Sequence, residues 1–156
     1  MFIMRTKKKD IILISGTQNS GKTNTACLLY LRFSEQVSQH EFNGATVNSS
    51  QISYPTKDDF VAIFKLKNEQ KVGIISAGDY LNSFIDSFNA IKNSIDVLIC
   101  TSRSKNTVGS VYNFIVERIQ TEGFELKLNF STYPADNITQ MQDNISSVIL
   151  NFLTLK

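Results

Sequence analysis

The chain has 156 residues, a length that fits one domain, and we predict a single nucleotide-binding domain over residues 1–156. Hydrophobic residues make up 42% of the chain and charged residues 19%, which is typical of a folded globular protein and excludes a disordered one. The net charge of +2 gives no support for a nucleic-acid partner. No apolar run approaches the roughly 18 residues of a membrane-spanning helix, so we expect no membrane association.

Three features of the sequence indicate where the protein is located and whether it binds a metal: its cysteines, its single histidine and its N-terminus. Cys27 and Cys100 lie in apolar segments without the spacing of metal ligands, so we interpret them as reduced core residues of a cytoplasmic protein. His40 has no second histidine with which to form a metal pair, and we predict that it lies on the surface. At the N-terminus a few apolar residues precede the basic run 7–9, whereas a secretory signal has the opposite order.

The first half of the chain predicts strands on either side of one long helix. Residues 11–14 form a short, continuous apolar run, which indicates a strand buried on both faces. After a turn that contains glycine, residues 22–36 predict a largely buried helix. Residues 37–57 are polar and show little periodicity, so they predict a loop with room for one short strand near 45–47. Residues 59–66 and 71–76 predict two strands of an antiparallel hairpin around a polar turn.

The second half predicts three more helices that alternate with two strands. The helices are predicted over 81–91, 111–119 and 138–152, and the strands over 96–100 and 126–130. Gly123 is expected to stop the second of these helices. The whole order is β-α-β-β-α-β-α-β-α. It predicts an α/β fold with a mostly parallel sheet, helices on both faces and one antiparallel hairpin strand at an edge.

One segment matches the pattern G-x-x-x-x-G-K-[ST], whose fixed residues suit phosphate binding. The matching residues are Gly16, Thr17, Gln18, Asn19, Ser20, Gly21, Lys22 and Thr23, and Asn24 follows them. The two glycines allow backbone angles at which successive N–H groups point to a phosphate, and the helix that follows adds the positive end of its dipole. Lys22 supplies a positive charge to the terminal phosphates, and Thr23 offers a hydroxyl to Mg²⁺. We predict residues 16–24 as the nucleotide-binding residues.

With this motif between a buried strand and a helix, the first forty residues resemble the start of a P-loop (Walker A) NTPase. The resemblance implies ATP or GTP as the ligand, Mg²⁺ as the cofactor, and a P-loop NTPase-like sheet with phosphate chemistry at its carboxyl edge. It also implies an acidic residue at the end of another strand, for which Asp79 is the best candidate as a second Mg²⁺ ligand. The alternative is that Asp79 only caps the next helix. Asp58 and Asp59, at the start of the hairpin, are further candidates for a metal or substrate contact.

Among P-loop NTPases, the chain resembles the small kinase-like branch more than the motor ATPases, as other residues indicate. Arg103 follows the strand that ends at residue 100, so we predict that it and Lys105 neutralise charge on the γ-phosphate, with a solvated basic loop as the alternative. Lys22 and Arg103 are the predicted catalytic residues. Three hydroxyl residues are also expected to line this edge: Ser76, Thr101 and Ser102. Asp79 is followed by Tyr80, not by the Glu of motor ATPases. No Asn-Lys-x-Asp pattern indicates guanine, so ATP is the expected ligand and GTP stays open.

Three functions are compatible with these residues. The first is phosphoryl transfer from ATP to a small acceptor, or slow hydrolysis of the nucleotide. The second is a nucleotide-dependent switch with a protein partner and little catalysis, suggested by the long loop predicted over 37–57. The third, an ATPase that acts on nucleic acid, is disfavoured by the small net charge.

Overall fold

A computed structural model of the chain describes residues 8–16, 22–51, 59–76, 80–103, 109–132 and 138–154. Its strands are β1 Lys9–Gly16, β2 Gln39–Phe42, β3 Ala45–Asn48, β4 Val61–Lys65, β5 Lys71–Ile75, β6 Val97–Ser102 and β7 Phe124–Thr132. Its α-helices are α1 Lys22–Ser34, α2 Leu81–Ile91, α3 Val111–Asn113 and α4 Ile138–Thr154, and α3 continues as a π-helix over Phe114–Arg118 and a 3-10 helix over Ile119–Glu122. Among these described residues no helix has both the length and the apolar character needed to cross a membrane.

The strands form one mixed sheet in the order β3-β2-β4-β5-β6-β1-β7. Strands β5, β6, β1 and β7 run parallel to one another, and β1 lies between β6 and β7. Strand β4 is antiparallel to β5, and β2 and β3 continue that half of the sheet with antiparallel pairings. The parallel half brings the carboxyl ends of four strands to one edge.

The prediction of a mostly parallel, P-loop NTPase-like sheet with one antiparallel edge strand is wrong. Within the described residues three of the six strand pairings are antiparallel, and β4 is an interior strand between β2 and β5. The cause is the hairpin β2–β3, which lies where we predicted a loop over 37–57. Its turn, Asn43-Gly44, has φ values of 48° and 85°, the left-handed pair that a type I′ hairpin turn requires.

The core lies on both faces of the sheet, and β1 contributes to both sides. Ile12 and Ile14 pack in one cluster with residues of α1 and α4, whereas Ile11 and Leu13 pack in the other with residues of α2 and the π-helix. All four side chains are fully buried, as the apolar run predicted. Each such side chain contributes about 1.5–3 kcal/mol through removal of apolar surface from water. This burial fixes the strand that ends at Gly16, the first residue of the G-x-x-x-x-G-K-[ST] motif.

The sequence predicted the burial of the two cysteines but not the burial of His40. Cys27 and Cys100 are buried free thiols, as expected, and burial raises the pKa of both, that of Cys27 to about 11. The prediction that His40 lies on the surface is wrong, because only 4% of it is exposed. Its ring stacks on Phe64 with centroids 4.6 Å apart. Its Nε2 and Nδ1 are hydrogen bonded to Tyr30 Oη at 2.6 Å and to Ser49 Oγ at 2.7 Å.

Candidate phosphate-binding site

The carboxyl ends of the parallel strands collect several of the predicted site residues at one edge of the sheet. Strand β1 ends at Gly16, which pairs with Thr132 at the end of β7. On the other side, Ser15 of β1 pairs with Ser102 at the end of β6, and Arg103 follows directly as an exposed residue. Ligands of open α/β sheets bind at the carboxyl ends of the strands. The structure therefore places Gly16 and Arg103 on neighbouring strand ends of the edge where we predicted the site.

Lys22 lies at the first residue of α1 and turns back to the end of β1. Its Nζ atom is 3.5 Å from the carbonyl oxygen of Gly16, a long and weak hydrogen bond. Only 7% of Lys22 is exposed, although a charged side chain is costly to bury. Thr23 is half-buried and Asn24 is exposed. The positive charge of Lys22 is thus held between the end of the strand and the start of the helix, while residues 17–21 lie outside the described residues.

The N-terminus of α1 favours a negatively charged ligand. The helix has 13 residues, its first turn contains no acidic side chain, and Arg32 lies in its last turn. The free N–H groups and the dipole of the first turn carry a partial positive charge. No carboxylate of this turn compensates that charge, and Lys22 adds a full positive charge next to it. An anion at this position would be attracted by both.

A row of buried hydroxyl groups follows the same edge, and its members are Ser15, Ser76, Thr101, Ser102 and Thr132. The sequence predicted three of them at this edge, Ser76, Thr101 and Ser102, but not Ser15 or Thr132. Thr132 Oγ1 donates a hydrogen bond to the carbonyl of Ser15 at 3.2 Å, and Thr101 Oγ1 donates one to the carbonyl of Ser76 at 2.9 Å. A serine or threonine at the end of a buried strand is the sequence signal that could have indicated the two that were missed. Which carbonyl each hydroxyl contacts depends on the strand order.

The described acidic residues Asp59 and Asp96 lie at opposite edges of the sheet. Asp59 is exposed and precedes Phe60, whose backbone N–H donates to Ser76 Oγ at 2.7 Å. Asp59 therefore lies beside the end of β5, at the carboxyl edge, as the antiparallel hairpin predicted. Asp96 lies at the opposite end of the sheet, where its Oδ2 accepts a hydrogen bond from the N–H of Lys71 at 2.9 Å. Asp79, the predicted Mg²⁺ ligand, lies outside the described residues, as do Asp58 and Lys105.

The donor set of this edge suits a magnesium ion that binds together with phosphate. Within the described residues no group of three or more His, Cys, Asp and Glu side chains could hold a metal ion by itself. Mg²⁺ usually keeps several waters and is bound through one or two protein oxygens plus phosphate oxygens. The Thr23 hydroxyl, at the start of α1, is the kind of oxygen ligand that such an ion takes. Among the described residues, Thr23 thus has a side chain of the kind that could bind an ion together with phosphate.

Comparisons of this chain with protein-family models, with curated proteins and with solved structures give no match. The functional interpretation therefore rests on the phosphate-binding motif and on the placement of its described residues. The motif begins at the end of a buried strand and reaches the first turn of a helix. This is the placement in which backbone N–H groups and a lysine can surround a phosphate.

Proposed function

We propose that the chain binds a nucleoside triphosphate, with ATP as the first candidate, through residues 16–24. The single observation on which this rests is the position of Lys22. It begins α1 within the G-x-x-x-x-G-K-[ST] pattern, it is almost completely buried, and its Nζ lies 3.5 Å from the Gly16 carbonyl. A triphosphate at this position would accept charge-assisted hydrogen bonds from the Lys22 ammonium group.

We further propose phosphoryl transfer to a small acceptor, or slow hydrolysis, as the reaction of this site. Lys22 would bind and orient the terminal phosphates. Arg103, on the neighbouring strand end, would stabilise the negative charge that develops during transfer. Mg²⁺ would shield the charge of the phosphates when bound, with Thr23 and Asp79 as the proposed ligands. GTP stays an open alternative to ATP because no described contact selects a base.

The alternative function, a nucleotide-dependent switch with a protein partner, loses the observation that suggested it. That observation was a long loop over 37–57 that a ligand could order. The described structure has the hairpin β2–β3 over residues 39–48 of this segment, and the buried contacts of His40 attach the hairpin to α1, while residues 52–57 lie outside the described residues. A switch would now have to act through other residues. Nucleotide binding with very slow turnover and no stimulation by any acceptor would favour it over a phosphotransferase.

We propose a cytoplasmic location for the protein. The support is that both cysteines are free and buried, Cys27 in α1 and Cys100 in β6. Proteins of oxidising compartments commonly use their cysteines in disulfides. Expression of a tagged full-length chain followed by fractionation would test the location. Recovery of the chain from a secreted or membrane fraction would contradict it.

The binding proposal is tested by calorimetric titration and by thermal unfolding with ATP, GTP, ADP and AMP, each with and without Mg²⁺. Ligand at one hundred times its dissociation constant stabilises a protein by about 2.7 kcal/mol, or roughly 5–10 °C for this size. We expect a Mg²⁺-dependent shift for the wild type and its loss in Lys22→Ala. Lys65→Ala is the matched control, because Lys65 is an exposed lysine paired with Glu69 next to the turn between β4 and β5.

Three results would contradict the proposal. The first is the absence of a shift with every nucleotide in the folded wild type. The second is an unchanged triphosphate affinity in folded Lys22→Ala protein. A loss of affinity in Lys65→Ala as large as in Lys22→Ala would show a general charge effect and would also contradict a specific site.

A further inference from the structure

The ends of β1 and β7 are joined by a side-chain hydrogen bond at the entrance to the phosphate-binding motif. Thr132 is the last residue of β7, and only 4% of it is exposed. Its Oγ1 donates to the carbonyl oxygen of Ser15 at 3.2 Å. The backbone register pairs Thr132 with Gly16, so the hydroxyl reaches back by one residue along β1. A buried polar side chain thus contacts the last peptide unit before the motif begins.

The contacted carbonyl belongs to the same rigid unit as the first N–H group of the motif. The peptide bond is planar, so the C=O of Ser15 and the N–H of Gly16 rotate together. A hydrogen bond that fixes the carbonyl therefore fixes the direction of this N–H. The next carbonyl, that of Gly16, is the one near the Lys22 ammonium group. Thr132 and Lys22 thus contact two successive carbonyl groups at the end of β1.

The hydroxyl also changes the electrostatics of the edge. The ends of parallel strands present carbonyl oxygens, whose partial negative charge opposes the binding of an anion. A hydroxyl that donates to such a carbonyl compensates part of this charge. Thr101 Oγ1 makes an equivalent bond to the carbonyl of Ser76, but Ser76 follows β5, which is separated from β1 by β6. Of these two hydroxyl hydrogen bonds, only that of Thr132 reaches a carbonyl of β1.

We propose that Thr132 is a positioning residue of the phosphate site: its hydroxyl orients the Ser15–Gly16 peptide unit, and with it the N–H group of Gly16, for triphosphate binding. This inference rests on the proposed function, because it assigns Thr132 a role in the same site. Thr132 acts through the backbone of β1 and needs no contact with the ligand. A purely structural hydroxyl would instead affect the stability of the protein and leave triphosphate affinity unchanged.

The test compares Thr132→Val, which keeps the shape and removes the hydroxyl, with Thr132→Ser, which keeps the hydroxyl. We expect Thr132→Val to weaken MgATP binding about three- to tenfold, as for the loss of one hydrogen bond, and Thr132→Ser to stay within about twofold of the wild type. Thr101→Val is the matched control. It removes an equally buried threonine hydroxyl from a strand-end carbonyl and should lower the thermal midpoint without weakening MgATP binding.

Each deviation from this pattern would overturn the inference. Wild-type affinity in Thr132→Val would exclude a positioning role, and so would a loss in Thr132→Ser as large as in Thr132→Val. Equal losses in Thr132→Val and Thr101→Val would assign the effect to general stability. All variants are compared at 10 °C in an osmolyte that favours the compact state, so that a destabilised variant can still be measured.

A second measurement separates this inference from the proposed function. The amide resonance of Gly16 is recorded by NMR in the ligand-free protein. Thr132→Val should shift it, whereas Thr132→Ser and Thr101→Val should leave it near its wild-type position. If the wild type binds no nucleotide, the proposed function fails, and the Gly16 resonance still decides whether Thr132 orients this peptide. An unchanged resonance in Thr132→Val would overturn the inference by itself.

Discussion

The hydrogen bond between Tyr30 and His40 provides a sharp test of how the hairpin is attached to the helix that follows the motif. Tyr30 lies in α1 and His40 in β2, and their atoms Oη and Nε2 are 2.6 Å apart in the core. Burial raises the pKa of Tyr30 to about 12, so its hydroxyl stays protonated at neutral pH. The substitution Tyr30→Phe removes this hydroxyl and keeps the ring.

The expected cost follows from what remains after the substitution. The Tyr30 ring lies 5.1 Å from the His40 ring and 5.4–5.5 Å, centroid to centroid, from Phe42, Phe60 and Phe64, and a phenyl ring can keep these contacts. The substitution therefore removes one hydrogen bond and leaves a buried imidazole nitrogen of His40 without this partner. Leaving such a group without a partner costs about 1–3 kcal/mol. For a chain of this size that corresponds to a fall of the thermal midpoint by roughly 2–12 °C.

The assay is urea unfolding of the wild type and Tyr30→Phe, followed by circular dichroism and by fluorescence. Tyr112→Phe is the matched control, because its hydroxyl accepts only a long bond of 3.4 Å from Asn129 at the surface. That variant should lose less than about 0.5 kcal/mol, as is usual for surface changes. A free energy of unfolding for Tyr30→Phe within about 0.5 kcal/mol of the wild type would refute a structural role for this hydrogen bond.

Two further predictions concern pH and packing. Burial lowers the pKa of His40 below its ordinary value of 6.5, so the unfolded chain binds a proton more readily than the folded one. The His40 contribution to stability is therefore complete above about pH 6.5 and falls as the pH drops below this value. Urea unfolding at pH 7.5 and at pH 5.5 should show a lower free energy of unfolding at the lower pH. An equal decline of the unfolding free energy in His40→Gln would contradict this assignment. In β5, a Cβ added at Gly73 would lie 3.0–3.2 Å from side-chain atoms of Ile91 and Ile95. Gly73→Ala should cost about 1–3 kcal/mol of unfolding free energy through overpacking, and an unchanged thermal midpoint would show that α2 shifts freely.

Local patterns predicted the elements that surround the candidate site. The apolar run 11–14 predicted β1, and the described α1 begins at Lys22, where the helix was expected. The stop at Gly123 is confirmed, since this residue has a φ of 83° at the end of the 3-10 helix. Such features depend on residues close in sequence: the burial pattern of one strand, the 3.6-residue period and a glycine that accepts a left-handed angle. The role of Lys22 in nucleotide binding stays a prediction that these local features support.

The hairpin β2–β3 shows where local pattern was insufficient. Its strands have four residues each, and their polar composition gave no clear alternation. The Asn43-Gly44 pair is a hairpin signal in the sequence that we did not use. Its partner β4, however, is distant along the chain, and the pairing of Glu41 with Ile63 depends on that long-range contact. Because of this missed hairpin, the sheet was predicted to be mostly parallel when half of its described pairings are antiparallel.

By itself the sequence determined the G-x-x-x-x-G-K-[ST] motif, its placement between β1 and α1, and the apolar character of the core, because each depends on residues within a few positions of one another. Only the tertiary structure decided the strand order, the burial of His40 and the contact of Thr132 with Ser15. A polar side chain does not reveal in its own sequence segment whether distant elements will cover it and supply its hydrogen-bond partners. Thr132 lies 117 positions from Ser15, and strand pairing alone brings them together.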